Sequence, residues 1–187
     1  MFLARFEQDA KEQEEKRKGK SCIENMAKFS RVLVAGGADF IGSHTVDKLL
    51  NQDIEVIVLD NLYTGRLENI EQCKGNRKFR FVQGDVRSLD LVKRLVKEVD
   101  AVFNEAAVVS VSRSLEDPIL ANEVNVGGTS NLLKACLHSE VKRFVQTSSA
   151  SVYAPARARE NVDSFHDSLS MLFCLYHFRI SLTALSE

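Results

Sequence analysis

Proline and cysteine are scarce in this chain of 187 residues, and neither sign of charge predominates. With two prolines and nine glycines, little interrupts regular secondary structure beyond a few tight turns. The four cysteines (Cys22, Cys73, Cys136 and Cys174) are widely scattered, with no C-x-x-C pair and no Cys/His cluster. That pattern excludes the usual zinc-ligand spacings and offers no disulfide framework, so no metal site is expected and the thiols should be free in a reducing cytoplasm. A formal net charge of -1 leaves no electrostatic footprint for nucleic acid or an anionic membrane. The N-terminus has no apolar stretch of the signal-peptide kind, because Met1–Phe6 turns at once into a run of mixed charge over 7–20. The most apolar run, 171–178, is too short to span a bilayer, and His177 and Arg179 interrupt its extension.

What remains is an ordinary globular composition, 44% hydrophobic and 27% charged. The length suits one α/β domain with a real core and is too short for two. The charged leader, residues 1–25, reads as an extension or an upstream start, either a solvated or disordered arm or a basic tail that binds a partner. Met26 is a natural beginning for the folded part.

From Arg31 onward, apolar β-branched runs alternate with segments of helical period. Strands are expected at 31–35, 55–60, 79–83, 101–104 and 143–147, and helices at 40–52, 89–99 and 118–138. Pro118 suits the first turn of the last helix, while Gly127-Gly128 weakens it and allows close packing or cofactor approach. Strands separated by helical crossovers make a parallel sheet covered on both faces, the doubly wound, three-layer α/β/α class. Ligands of such sheets bind beyond the carboxyl ends of the strands, so the residues just after each strand are the candidates.

The first of these stretches, Gly36-Gly37-Ala38-Asp39-Phe40-Ile41-Gly42, joins strand one to helix one. A glycine turn of this kind aims backbone N–H groups and the helix N-terminus at a diphosphate. Asp60, closing strand two, is placed to accept from the adenosine ribose hydroxyls, which favours NAD over NADP.

These residues resemble the G-G-x-G-F-I-G-S-H turn of the extended short-chain dehydrogenases, in particular the NAD-dependent nucleotide-sugar epimerase/dehydratase family. Six further stretches match that family in order. Leu59-Asp60-Asn61-Leu62-Tyr63-Thr64-Gly65-Arg66 is similar to its strand-two signature, and Gly84-Asp85-Val86-Arg87 to its adenine-side motif. Asn104-Glu105-Ala106-Ala107 resembles its H-x-A-A loop with Asn104 in place of histidine. The segments 109–118, 125–133 and 147–153 resemble its serine-rich, N-V-x-G-T and S-S-x-x-V-Y stretches. The resemblance implies a Rossmann domain over 26–154 with NAD held by Gly36, Asp39, Phe40, Ile41, Gly42, Asp60, Asn61, Thr64, Gly65, Asp85, Val86, Ala106, Ala107, Asn125 and Ser148. It further implies that Ser149 orients the hydroxyl of a nucleotide-sugar substrate, most like those of UDP-sugar 4-epimerases. Relatives dimerise through two helices per subunit, so 118–138 is the expected contact of a homodimer.

Three features depart from that pattern. Asp39 stands where the family has the middle glycine of the turn, and a carboxylate there adds bulk and like charge against a diphosphate; as a helix cap it is otherwise well suited. The general base in relatives is the tyrosine of Y-x-x-x-K, whose lysine one turn on lowers the tyrosine pKa. Here Tyr176 falls at a comparable distance after Ser149, but position 180 holds Ile180, with Arg179 a poor substitute. Tyr176 therefore fits the apolar run around it better than the role of base. Finally, residues 155–187 carry no motif of the family's C-terminal substrate domain, whether through frameshift, truncation or divergence. The expectation is a protein with the cofactor-binding half of such an enzyme and no complete catalytic pair. The alternative is a non-catalytic dinucleotide-binding or regulatory module.

Overall fold

The computed structural model describes residues 29–148. Its centre is a parallel sheet of five strands: β1 (Arg31–Ala35), β2 (Glu55–Asp60), β3 (Phe79–Gln83), β4 (Ala101–Asn104) and β5 (Arg143–Gln146). They lie in the order β3-β2-β1-β4-β5, and every pairing is parallel. The direction of strand addition reverses at β1, so β1 and β4 part at their carboxyl ends and leave a crevice there. The doubly wound arrangement expected from the alternating pattern is thus the observed one.

Strand side chains alternate between two cores, as their period of two requires. Val32, Val34, Val56, Val58 and Phe103 pack with Val46 and Leu49 of α1 (Phe40–Leu50) on one face. Leu33, Ile57, Leu59, Val102 and Phe144 pack on the other with α2 (Leu89–Val96) and with the helical stretch before β5. Because the central strands are covered on both sides, they read in sequence as unbroken apolar runs. The β3 edge is less buried, and its exposed Arg80 pairs with Glu98 at 2.7 Å.

The stretch expected as one helix over 118–138 is helical throughout but not uniform. It comprises α4 (Pro118–Asn122), a π-helical segment (Glu123–Gly128) and α5 (Thr129–Leu137). Asp117 caps it by accepting from the Leu120 backbone N–H at 2.9 Å, with Pro118 in the first turn. The glycine pair serves packing: a side chain at Gly128 would meet Val86 Cγ2 at 2.5 Å, whereas Gly127 faces open space. Two short elements escaped the periodicity reading, a 3₁₀ helix (Leu67–Cys73) and α3 (Val111–Glu116). Each has at most two buried residues, too few to set a helical period. Helix α2 also stops at Val96, short of 99, although Val99 itself stays buried. The charged leader, the tail from 155, Ser149 and Tyr176 lie outside the described residues.

Candidate functional site

The turn after β1 is built around one backbone conformation. Gly36 has φ +78, which a side chain rarely adopts, and an added Cβ would meet the Ala106 backbone nitrogen at 2.6 Å. The loop after β4 therefore sits directly on the turn, and Gly42 in the first turn of α1 lies against the Gly36 carbonyl. Strand β2 is tied to the same turn. The buried Asp60 accepts from the Ala38 N–H at 2.9 Å through one carboxylate oxygen and from the Leu62 N–H at 2.8 Å through the other. Thr64 donates to Asp39 Oδ2 at 2.9 Å, and the Arg66 N–H and Asn69 amide both donate to the Ala38 carbonyl. Leu62 is held at φ 60, a left-handed conformation that costs about 1–2 kcal/mol for a residue with a side chain. Its bond to Asp60 offsets part of that cost.

Two neighbouring crevices open above the parted strands. The first, 240 Å³, is lined by Gly36, Asp39, Asp60, Asn61, Thr64, Val86, Ala106 and Ala107 among the residues expected from the sequence. The second, 440 Å³, is lined by Gly36, Asp39, Phe40, Ile41, Gly42, Ala107, Asn125 and Ser148 from the same expectation. Gly65 and Asp85 line neither. Gly65 lies against the Asp60 carboxylate, and Asp85 lines a shallow surface hollow with Arg87 and Glu123. Asn125 reaches the second crevice while clamping the Val108 backbone, accepting from its N–H at 2.8 Å and donating to its carbonyl at 3.1 Å.

The carboxylates of this region differ in their partners. Asp85 accepts from the Arg87 backbone, from Arg87 Nε at 3.0 Å and a terminal nitrogen at 2.9 Å, and from the Asn61 amide at 2.9 Å. Burial opposes its ionisation, but these bonds outweigh it and hold the carboxyl below the usual carboxylate range. Arg87 is completed by Glu123 at 2.9 Å. Asp39 caps α1 by accepting from the Phe40 N–H at 2.8 Å. The helix N-terminus that would face an incoming anion thus already carries a carboxylate.

Glu105, after β4, is the residue that sequence reasoning missed. It lines both crevices, and its Oε1 accepts from the Thr45 hydroxyl at 2.8 Å. Its Oε2 is buried with no hydrogen-bond partner among the described residues. Burial pushes its carboxyl above the ordinary range, an effect that the Thr45 bond only partly offsets. The available signal was the filler position of the H-x-A-A-like loop, where an acid beside a diphosphate turn is out of place. Ser148, which lines the second crevice, likewise has a buried Oγ with no partner among the described residues. At the rim, Arg113 of α3 stacks 5.4 Å over the Tyr63 ring.

An adenine dinucleotide suits most of these features: the close backbone approach at Gly36, the α1 N-terminus, and an acid at the end of β2 with lone pairs beyond the two already used. Among the described residues no group of three or more His, Cys, Asp or Glu could hold a metal ion, and no helix is long and apolar enough to cross a membrane.

The comparisons with known proteins agree with this geometry. The model of the NAD dependent epimerase/dehydratase family matches residues 32–169. UDP-glucose 4-epimerase of Mycolicibacterium smegmatis is 42% identical over 125 residues, covering 66% of this chain and 40% of that protein. Among solved structures, the UDP-Glc/GlcNAc 4-epimerase of Campylobacter jejuni superposes with a TM-score of 0.62 at 36% identity, over 67% of this chain and 39% of the other. The UDP-glucose 4-epimerase of Thermus thermophilus, solved in complex with NAD, gives a TM-score of 0.57 at 45% identity, over 64% and 37%. The chain spans about two fifths of the length of these relatives.

Proposed function

The chain belongs to the NAD dependent epimerase/dehydratase family, and from that membership we propose that it binds NAD as the cofactor half of a nucleotide-sugar epimerase or dehydratase. One observation carries the reading: the Gly36 turn packs on Ala106 where the strand order reverses, beside the carboxylate that ends β2. In this proposal Gly36, Phe40, Ile41 and Gly42 cradle the diphosphate, and Asp60 and Asn61 take the ribose. Val86 packs against the adenine, and Ala106, Ala107, Asn125 and Ser148 line the nicotinamide side. Thr64, Gly65 and Asp85 hold the loops that shape the adenosine side. NAD supplies a hydride acceptor when bound. Ser149 would orient the sugar hydroxyl, as the resemblance implies.

Tyr176 is not followed by lysine one turn later, so we propose cofactor binding without turnover for this chain. That same missing partner favours the second reading, a non-catalytic dinucleotide-binding module. Its expected partner is a second copy through the helix beginning at Pro118, whose Ile119 and Val126 are exposed. Calorimetric titration of NAD into the full chain tests the first claim: saturable one-to-one binding is expected, and no heat above dilution would overturn it. Incubating the loaded chain with a UDP-hexose tests the second, since measurable epimerisation would refute the absence of a base. Light scattering at rising concentration reads the dimer.

A further inference from the structure

Glu105 presents a charge problem that no neighbour solves. It stands between the two crevices, against the turn expected to hold a diphosphate, with one carboxylate oxygen bonded to Thr45 and the other buried and unpartnered. The charged groups around it do not compensate. From the turn it is faced by Asp39, which is occupied by Phe40 and Thr64. From β2 comes Asp60, occupied by two backbone N–H groups. From the loop after β3 comes Arg87, the cation lining the first crevice, which is committed to Asp85 and to Glu123 of the π-helical segment. Helix α1 offers only the neutral Thr45 hydroxyl, His44 on the same helix being exposed, and the end of β5 offers the uncharged Gln146, Thr147 and Ser148. A dianionic group entering here adds further negative charge to a site whose one lining cation among the described residues, Arg87, is already paired, while Arg113 of α3 at the rim is stacked on Tyr63.

We propose that Glu105 takes up one proton from solvent as the diphosphate of the dinucleotide enters, so that affinity for the cofactor is set by pH through this side chain. The inference rests on the proposed NAD binding and deepens it. In the step, the Glu105 carboxylate gains a proton from the buffer acid, which is left as its conjugate base, and no other bond changes. A carboxylate is acceptor-only, whereas the neutral acid carries an O–H that donates to an anionic oxygen. Repulsion thereby becomes a hydrogen bond. Burial already favours the neutral form of Glu105, and a nearby dianion favours it further.

The test is calorimetric titration of NAD into the full chain between about pH 5 and pH 8, in two buffers of different ionisation enthalpy. For the wild type, Kd should rise by up to about tenfold per pH unit inside the coupling window. The apparent enthalpy should differ between buffers by an amount corresponding to uptake of up to one proton. Glu105→Gln should abolish both effects and bind more tightly than the wild type at the alkaline end. NAD binding with a buffer-independent enthalpy and a flat pH profile would overturn the proposal and leave the cofactor reading intact. A slope that persists in Glu105→Gln would assign the proton elsewhere and overturn it equally. Absence of binding by both proteins at every pH would remove the cofactor reading and this inference with it. Should the variant fail to fold, the two-buffer measurement on the wild type still decides, because proton uptake is read there directly.

Discussion

The two walls of the crevice handle negative charge in opposite ways. On the β2/β3 side, Asp60 and Asp85 lie within a hydrogen-bond network, and each carboxylate oxygen has a donor. On the β1/β4 side, Asp39 caps the helix that should receive the diphosphate, and Glu105 keeps a buried oxygen with no partner. The first wall is the one that meets a neutral nucleoside in the proposed binding mode. The second opposes an anion at the place where this fold ordinarily attracts one. The difference teaches that fold and fine electrostatics are separable: the backbone of the turn suits a diphosphate while the carboxylates beside it oppose one.

The largest test of this contrast removes the geometry itself. Gly36→Ala forces a side chain against the Ala106 backbone in a left-handed conformation, and about 3 kcal/mol or more of stability should be lost. Urea unfolding would read this as a lower midpoint at unchanged slope. An unshifted midpoint would mean that the two loops are not held as described. Next comes Asp39→Gly, which frees the Phe40 N–H and removes one repulsion. At about 5 Å and an effective dielectric near 20 that repulsion is worth roughly 3 kcal/mol, or about a hundredfold in NAD affinity. The capping loss should be only a few tenths of a kcal/mol, since glycine is tolerated there. Calorimetry showing equal affinity for the two proteins would break the contrast, because Asp39 would then not face the anion.

The same separation explains what could be read in advance. Strands β1, β2 and β4 have the boundaries that their apolar runs imply, because burial on both faces writes itself directly into composition, while the less buried edge strands match at β3 and differ by one residue at β5. The glycine turn was legible because its spacing follows from a backbone conformation. Charge balance was not. Asp39 stood out only as a departure from a motif, and Glu105 passed as filler because its burial depends on Thr45, sixty positions away in sequence. Asp85 likewise had a motif but not its partners: nothing local announces that Asn61 and Arg87 would claim it. The π-helical segment was invisible for a related reason, since Pro118 and the apolar period mark a helix without specifying its hydrogen-bond pattern.

A smaller effect sharpens the contrast through stability rather than binding. Glu105 has a raised pKa in the folded state, so its contribution is fully present below the ordinary glutamate range and is lost as pH rises through the folded value. Glu105→Gln removes that loss. The variant should match the wild type near pH 4 and exceed it at neutral pH by about 1–3 kcal/mol, the usual cost of an unsatisfied buried group. Thermal unfolding at the two pH values reads the crossover. Equal stability at both would mean that the buried oxygen is solvated.

The smallest effect comes from the opposite wall and has the opposite sign. Asp85 has a lowered pKa in the folded state, so its contribution is present above the ordinary aspartate range and disappears as pH falls through the folded value. Its side chain is 23% exposed and that of Arg87 40%, so solvent screens the pair and the contribution should be about 1 kcal/mol or less. Asp85→Asn should therefore be slightly less stable than the wild type at neutral pH and equal to it well below pH 4, by urea unfolding at each pH. Salt should narrow the neutral-pH gap, because an ion pair this exposed is screened. Were Asp85→Asn instead the more stable protein at neutral pH, burial would outweigh the Arg87 and Asn61 bonds. The two walls would then share one unfavourable balance of charge.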